Sequence, residues 1–150
     1  MPYTFTIDQK ENIIRETWTG TFDLEQLQDS CYAEWAHPDF REGLNMLTDL
    51  RLARGKVSAD DVLKFASWFS NDYAPPRHAI VIRRERAFDF AGIFSMIRHT
   101  DNQSENPADN QTALFFSYAE AEAWVTGCRL ALASPRQEER IDAQNAVPEG

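Results

Sequence analysis

Three histidines, a basic middle third and one serine ahead of paired aspartates are the residues of this 150-residue chain with chemistry to offer. His37 precedes Pro38 at a predicted helix end, His78 opens a predicted strand, and His99 closes a predicted helix, where its charge suits the dipole. They are scattered, and each is assigned a structural role. Catalysis needs a nucleophile beside a base, a metal set, or carboxyls in contrasting environments. No glycine-rich phosphate loop or metal-spaced ligand pair is present, and Gly92-Ile93-Phe94-Ser95 lacks the flanks of a nucleophile elbow. Asp60-Asp61 reads as an acidic first helical turn rather than a catalytic pair. The expectation is therefore no enzyme, no cofactor and no metal. An enzyme would be favoured only if His78 or His99 shared a pocket with a carboxylate such as Asp49.

The charge distribution is more informative. The net charge is −9, yet residues 51–100 carry nine Lys or Arg against five acids. The overall acidity argues against a nucleic-acid or anionic-membrane surface, both of which reward clustered basic residues. Arg51, Arg54 and Lys56 follow one predicted strand, and Arg83, Arg84 and Arg86 follow another. If those strands are parallel, all six lie at one carboxyl edge, where open α/β sheets take ligands. Arg51, Arg54, Arg83 and Arg84 are thus candidates for holding a carboxylate, a phosphorylated ligand or an acidic partner. The alternative is solvated charge paired with Asp60, Asp61 and Glu85.

The elements that must position these residues follow from hydrophobic period. Tyr3, Phe5 and Ile7 alternate with Thr4 and Thr6, and Ile14, Glu16 and Trp18 alternate with Ile13, Arg15 and Thr17, giving a hairpin that ends at Gly20. Asp23 caps a helix whose apolar positions are Leu24, Leu27, Cys31 and Trp35, closed by His37-Pro38. A strand from Leu44 to Leu50 precedes Ser58-Ala59-Asp60-Asp61, a capping box for a helix carrying Val62, Phe65, Ala66, Phe69 and Tyr73. Pro75-Pro76 stops that helix. Ala79-Ile80-Val81-Ile82 then reads as a strand covered on both faces.

A third helix spans about Arg86 to Arg98, with Phe90, Ile93, Phe94 and Ile97 on its core face. Phe88 and Met96 fall off that face, as Leu63 and Trp68 fall off the core stripe of the second helix. Such residues are covered by a second subunit in a homodimer, by other parts of the chain, or by an apolar ligand. A polar loop from Thr100 to Gln111, a strand from Ala113 to Phe116 and a helix lined by Ala121, Trp124, Val125, Cys128 and Leu132 complete the pattern. Residues 1–133 are expected to form one domain, and residues 134–150 a disordered tail.

The order ββαβαβαβα predicts an α/β fold with a mixed sheet of about five strands packed by helices, with a chain long enough to bury roughly two-thirds of its surface. Met1 to Lys10 lacks the apolar run of a signal peptide, and no stretch reaches bilayer length, so residence is expected to be cytoplasmic with no transmembrane segment.

This order, with Trp35-Ala36-His37-Pro38-Asp39-Phe40, Leu47-Thr48-Asp49-Leu50-Arg51, Ala79 to Ile82 and Ala119 to Val125, resembles the bacterial SpoIIAA-like branch of the STAS fold, related in shape to CRAL-TRIO lipid-binding domains. The resemblance implies a non-catalytic regulatory or binding module engaging a protein partner or a small ligand. The CRAL-TRIO likeness implies the alternative, a carrier of a small apolar or lipid-like ligand between the second and third helices. In the STAS group, a serine after the strand that ends in an aspartate acts as a phosphoswitch. Asp49 looks like that aspartate, but Leu50, Arg51 and Leu52 follow it, and Ser58, the next serine, is already a helix cap.

Overall fold

The computed structural model describes residues 2–72, 75–86, 89–101 and 111–127. The expectations for Tyr73, Phe88, Cys128, Leu132, the middle of the Thr100–Gln111 loop and the 134–150 tail lie outside the described residues, as do those for the side chains of Met96, Ile97 and His99.

Five strands form one sheet in the order β1-β2-β3-β4-β5: β1 Tyr3–Asp8, β2 Ile13–Phe22, β3 Asn45–Gly55, β4 Arg77–Val81 and β5 Gln111–Phe115. β1 runs antiparallel to β2, and every later pair is parallel. Four helices alternate with them: α1 Leu24–Trp35, α2 Ala59–Asp72, α3 Phe90–Asp101 and α4 Tyr118–Thr126. The predicted α/β architecture and element order are those observed. Strands added in one direction by right-handed crossovers place their connecting helices on one face of the sheet. Accordingly α1, α2 and α3 share a core with Trp18, Met46, Leu50 and Ile80, while α4 covers Ile13, Leu47, Ala79 and Val81 on the other side.

The caps are where local chemistry placed them. Asp23 accepts from the Gln26 amide at 2.9 Å while the Gln26 side chain accepts from the Asp23 amide at 3.0 Å. Ser58 and Asp61 make the same reciprocal pair ahead of α2, at 3.1 and 3.2 Å. Ser58 is therefore occupied as a cap. No helix among the described residues is long and apolar enough to cross a membrane.

Two boundaries differ from expectation by more than two residues. The chain from Arg84 to Arg86 is a separate 3-10 turn, and α3 begins only at Phe90. β3 continues five residues past Leu50, because Leu50 and Arg51 together oppose Trp18 in a β-bulge. The extra residue changes the phase of the strand, so Ala53 joins the core face that Leu50 occupies. Gly55, next on that face, sits under Phe22 and Phe90; a Cβ there would lie 3.0 Å from Phe22 Cζ and 3.3 Å from Phe90 Cβ. Gly55→Ala is expected to destabilise the protein by about 1–3 kcal/mol in urea denaturation, as overpacking does. An unchanged midpoint would refute this close packing.

Candidate functional site

Side chains alternate across a strand, so parallel register decides which of them meet. Glu16 of β2 is the partner of Thr48 on β3, and His78 of β4 is the partner of Met46, one pleat from Thr48. All three share the phase of Trp18, Leu50 and Ile80 and face α1, α2 and α3. Thr48 Oγ1 donates to Glu16 Oε2 at 3.1 Å and lies 2.9 Å from His78 Nε2. The three residues are 4%, 7% and 6% exposed, so a continuous polar chain crosses three strands beneath an apolar layer.

A hydroxyl carries one hydrogen. With that hydrogen on Glu16, the His78 imidazole must donate through Nε2, and Nδ1 is left as a bare acceptor. Nδ1 has no hydrogen-bond partner among the described residues. From above, α1 adds Ser30 and Glu34 on the stripe of Leu27 and Cys31, all four buried. Ser30 donates to the Leu27 carbonyl at 2.7 Å. Glu34 is fully buried, and neither carboxyl oxygen has a hydrogen-bond partner among the described residues.

Burial sets the charge state of this group. It pushes the Glu34 carboxyl well above the usual carboxylate range, and the charge of Glu16 pushes it further. Burial also raises Glu16, while the polar groups of Trp18, Thr48, Ser30 and Glu34 pull it back. Glu34 is thus the member of the pair that keeps a proton, and Glu16 the one closer to ionised. His78 is lowered to about 3 by burial and by the charge of Arg98, so the imidazole is neutral at pH 7.

Four of these polar residues border a cavity between the sheet and the three helices. Glu16, Ser30, Thr48 and His78 form its polar side; Trp18, Leu27, Phe65, Phe69, Phe90 and Phe94 are among its apolar walls. It offers about 30 Å³ to the centres of water-sized molecules, room for one or two such groups.

The residues singled out in the sequence are distributed differently. β3 and β4 are parallel, so their carboxyl ends do share an edge. Arg51 and Arg54, however, lie inside the bulged β3 rather than beyond it. Arg51 grips Asp49 through two bonds of 2.9 and 2.8 Å, and its guanidinium lies 5.4 Å from the Tyr118 ring centroid on the α4 side of the sheet. Asp49 is therefore on the opposite face from His78. The Arg84 guanidinium lies 4.6 Å from the centre of the Phe116 ring. Arg54 and Arg83 are exposed, and among the described residues neither forms an ion pair. Arg54 and Arg86 border an open cleft of about 450 Å³ together with Glu85 and Asp89, so the basic charge there is balanced by acids.

Of the apolar candidates, Leu63 is 54% exposed on α2. Trp68 instead closes the seam between α1 and α2, with ring centroids 5.6 Å from Tyr32 and 5.5 Å from Trp35. Among the described residues no cluster of His, Cys, Asp or Glu is arranged to hold a metal ion.

The buried site was not singled out in the sequence, although a signal existed. Glu16 sits between Ile14 and Trp18 in the apolar phase of β2, and Ser30 and Glu34 fall at helical spacings of three and seven from Leu27. Polar residues in an apolar phase mark buried hydrogen-bonding groups.

No family model matches the chain, and no curated protein matches it. Among solved structures it is similar to an uncharacterized protein from the DUF3478 family with a SpoIIAA-like fold, from Shewanella loihica PV-4. The two are 17% identical with a TM-score of 0.49, over 82% of this chain and 93% of that one.

The low pKa of His78 has a measurable consequence. Between about 3 and the ordinary 6.5 the unfolded chain binds a proton that the folded chain refuses, so stability falls as pH drops through that window. The loss approaches about 1.4 kcal/mol per pH unit. From pH 7 to pH 5 the native protein is expected to lose about 2 kcal/mol relative to His78→Gln in urea denaturation. Equal losses in both proteins would show that His78 titrates normally.

Proposed function

We propose that this chain is a non-catalytic binding module of STAS-like type, and that it engages a small ligand in the cavity between β2, β3 and β4 and helices α1 to α3. The observation that carries this reading is the Glu16–Thr48–His78 chain lining an otherwise apolar cavity. A few convergent polar groups in an apolar concavity are the general form of a small-molecule site. Glu16 and His78 are held there with altered proton affinity, which also marks functional positions.

Binding suits this chemistry better than turnover. A general base works best with a pKa near the operating pH, and an imidazole at about 3 is a weak base at neutrality. Thr48, whose hydroxyl lies 2.9 Å from Nε2, is already committed to Glu16. His78 does share a cavity with a carboxylate, but the Thr48 hydroxyl stands between them.

The volume argues for a compact ligand or head group rather than a whole lipid chain. About 30 Å³ for water-sized centres is far below the roughly 150 Å³ engineered cavity that accepts benzene. The alternative, an apolar carrier, draws support from the same walls, because Phe65 and Phe69 of α2 face Phe90 and Phe94 of α3 across the cavity. The basic edge supports an anion or acidic partner less strongly, since Arg51 is paired with Asp49 and acids flank Arg54.

Native mass spectrometry of the full chain as purified is expected to show a retained small molecule that is lost from Thr48→Val, a substitution that keeps shape and removes the hydroxyl. A bare polypeptide mass for the native protein would overturn the reading.

A further inference from the structure

The carboxyl edge of β3 and β4 carries a second concavity, with both signs of charge around it. Arg54 and Gly55 end β3, and Glu85, Arg86 and Asp89 lie between β4 and α3; together they border the open cleft of about 450 Å³. Small-molecule sites span roughly 300–1,000 Å³. Arg54, Glu85 and Asp89 are exposed and Arg86 is partly buried. Among the described residues none of these four charged side chains forms an ion pair, so the two signs border one cleft without contact between them. Arg86 is anchored, because its Nη1 donates to the Ala53 carbonyl at 2.5 Å. A guanidinium has five N–H donors, and this bond uses one. Gly55, Arg86 and Asp89 also line a small slot whose other walls include Phe22, Leu50, Ile82 and Phe90. The slot offers about 20 Å³ to the centres of water-sized molecules, room for one methyl-sized group.

We propose that this edge binds a small α-amino acid with a short apolar side chain. Its carboxylate is held by Arg54 and Arg86, its ammonium by Glu85 and Asp89, and its side chain enters the slot beside Phe22 and Phe90. A carboxylic acid without the amine would gain the two arginines but also face the two acids. An amine without the carboxylate would gain the acids and face the arginines. An α-amino acid carries both charges on one carbon, so each sign meets its complement within a single cleft, through charge-assisted hydrogen bonds. The third substituent on that carbon is then the one left for the slot. Glycine would leave the slot unfilled and forgo the apolar burial, and a ring would exceed one methyl-sized group. Open α/β sheets take ligands at the carboxyl ends of their strands, where this cleft lies.

Three probes separate these chemistries: α-aminobutyrate, butyrate, which lacks the amine, and propylamine, which lacks the carboxylate. Each is titrated at pH 7 into the full chain while the backbone amide signals of Gly55 and Thr48 are followed by NMR. Gly55 lines the cleft and the slot but not the cavity of Glu16 and His78, whereas Thr48 lines that cavity alone of the three. Aminobutyrate is expected to shift Gly55 with at least tenfold higher affinity than either other probe. Arg54→Gln is expected to narrow its advantage over propylamine, and Glu85→Gln its advantage over butyrate; both positions are exposed, so the fold tolerates the changes. Equal or tighter binding of butyrate or propylamine to the native protein would overturn the amino-acid assignment, as would an advantage that survives both substitutions intact. A Gly55 signal that no probe moves would overturn the site itself. A shift of Thr48 in place of Gly55 would also overturn it, while supporting the buried cavity as the place where ligands enter.

Discussion

An ionisable side chain taken out of water costs several kcal/mol unless something inside replaces the lost hydration, and the interior of this protein is organised around that constraint. Glu16, Thr48 and His78 come from three strands, and no two of them are close in sequence. They meet because the β2–β3 and β3–β4 registers bring one phase of each strand under the same helices. The Thr48 hydroxyl joins an acid that burial pushes toward neutrality to an imidazole that burial keeps neutral. Shifting any one strand by a single residue would exchange these groups for the residues on the opposite face.

The connectivity makes the two faces unequal. Three crossovers of one hand load α1, α2 and α3 onto one side, and the thick aromatic layer there shields the polar chain from solvent. On the other face, among the described residues, α4 lies over a smaller cluster. Charge near that thinner cover remains in reach of solvent, and the Arg51–Asp49 pair sits there, with Arg51 partly exposed. The bulge at Leu50 and Arg51 serves both sides: it keeps Leu50 in the core, sends Arg51 toward Tyr118 and lets β3 continue to Gly55.

In the proposed function this arrangement serves recognition rather than reaction. Burial makes its imidazole a weak base at pH 7, its Thr48 hydroxyl is committed to Glu16, and His78 Nδ1 has no hydrogen bond from the described residues. Low local dielectric strengthens each contact a matching ligand would make and penalises a mismatched one.

Much of the fold was legible in the residues alone. Alternation in β1 and β2, the continuous apolar run of β4, and the Asp23 and Ser58 caps are local signals, and local signals depend on backbone sterics and nearby hydrogen bonds that the chain carries with it. The basic middle third was equally plain, but where each arginine points was not. Arg51 turned to Asp49 because a bulge, a property of strand pairing, extended β3 beyond its apolar stretch. Trp68 found Tyr32 and Trp35 because α1 and α2 pack side by side. The sequence by itself determined the element order, the caps and the core stripes. Only the tertiary structure decided that Glu16, Ser30, Thr48 and His78 line one cavity, because that depends on register and helix placement between segments that are distant along the chain.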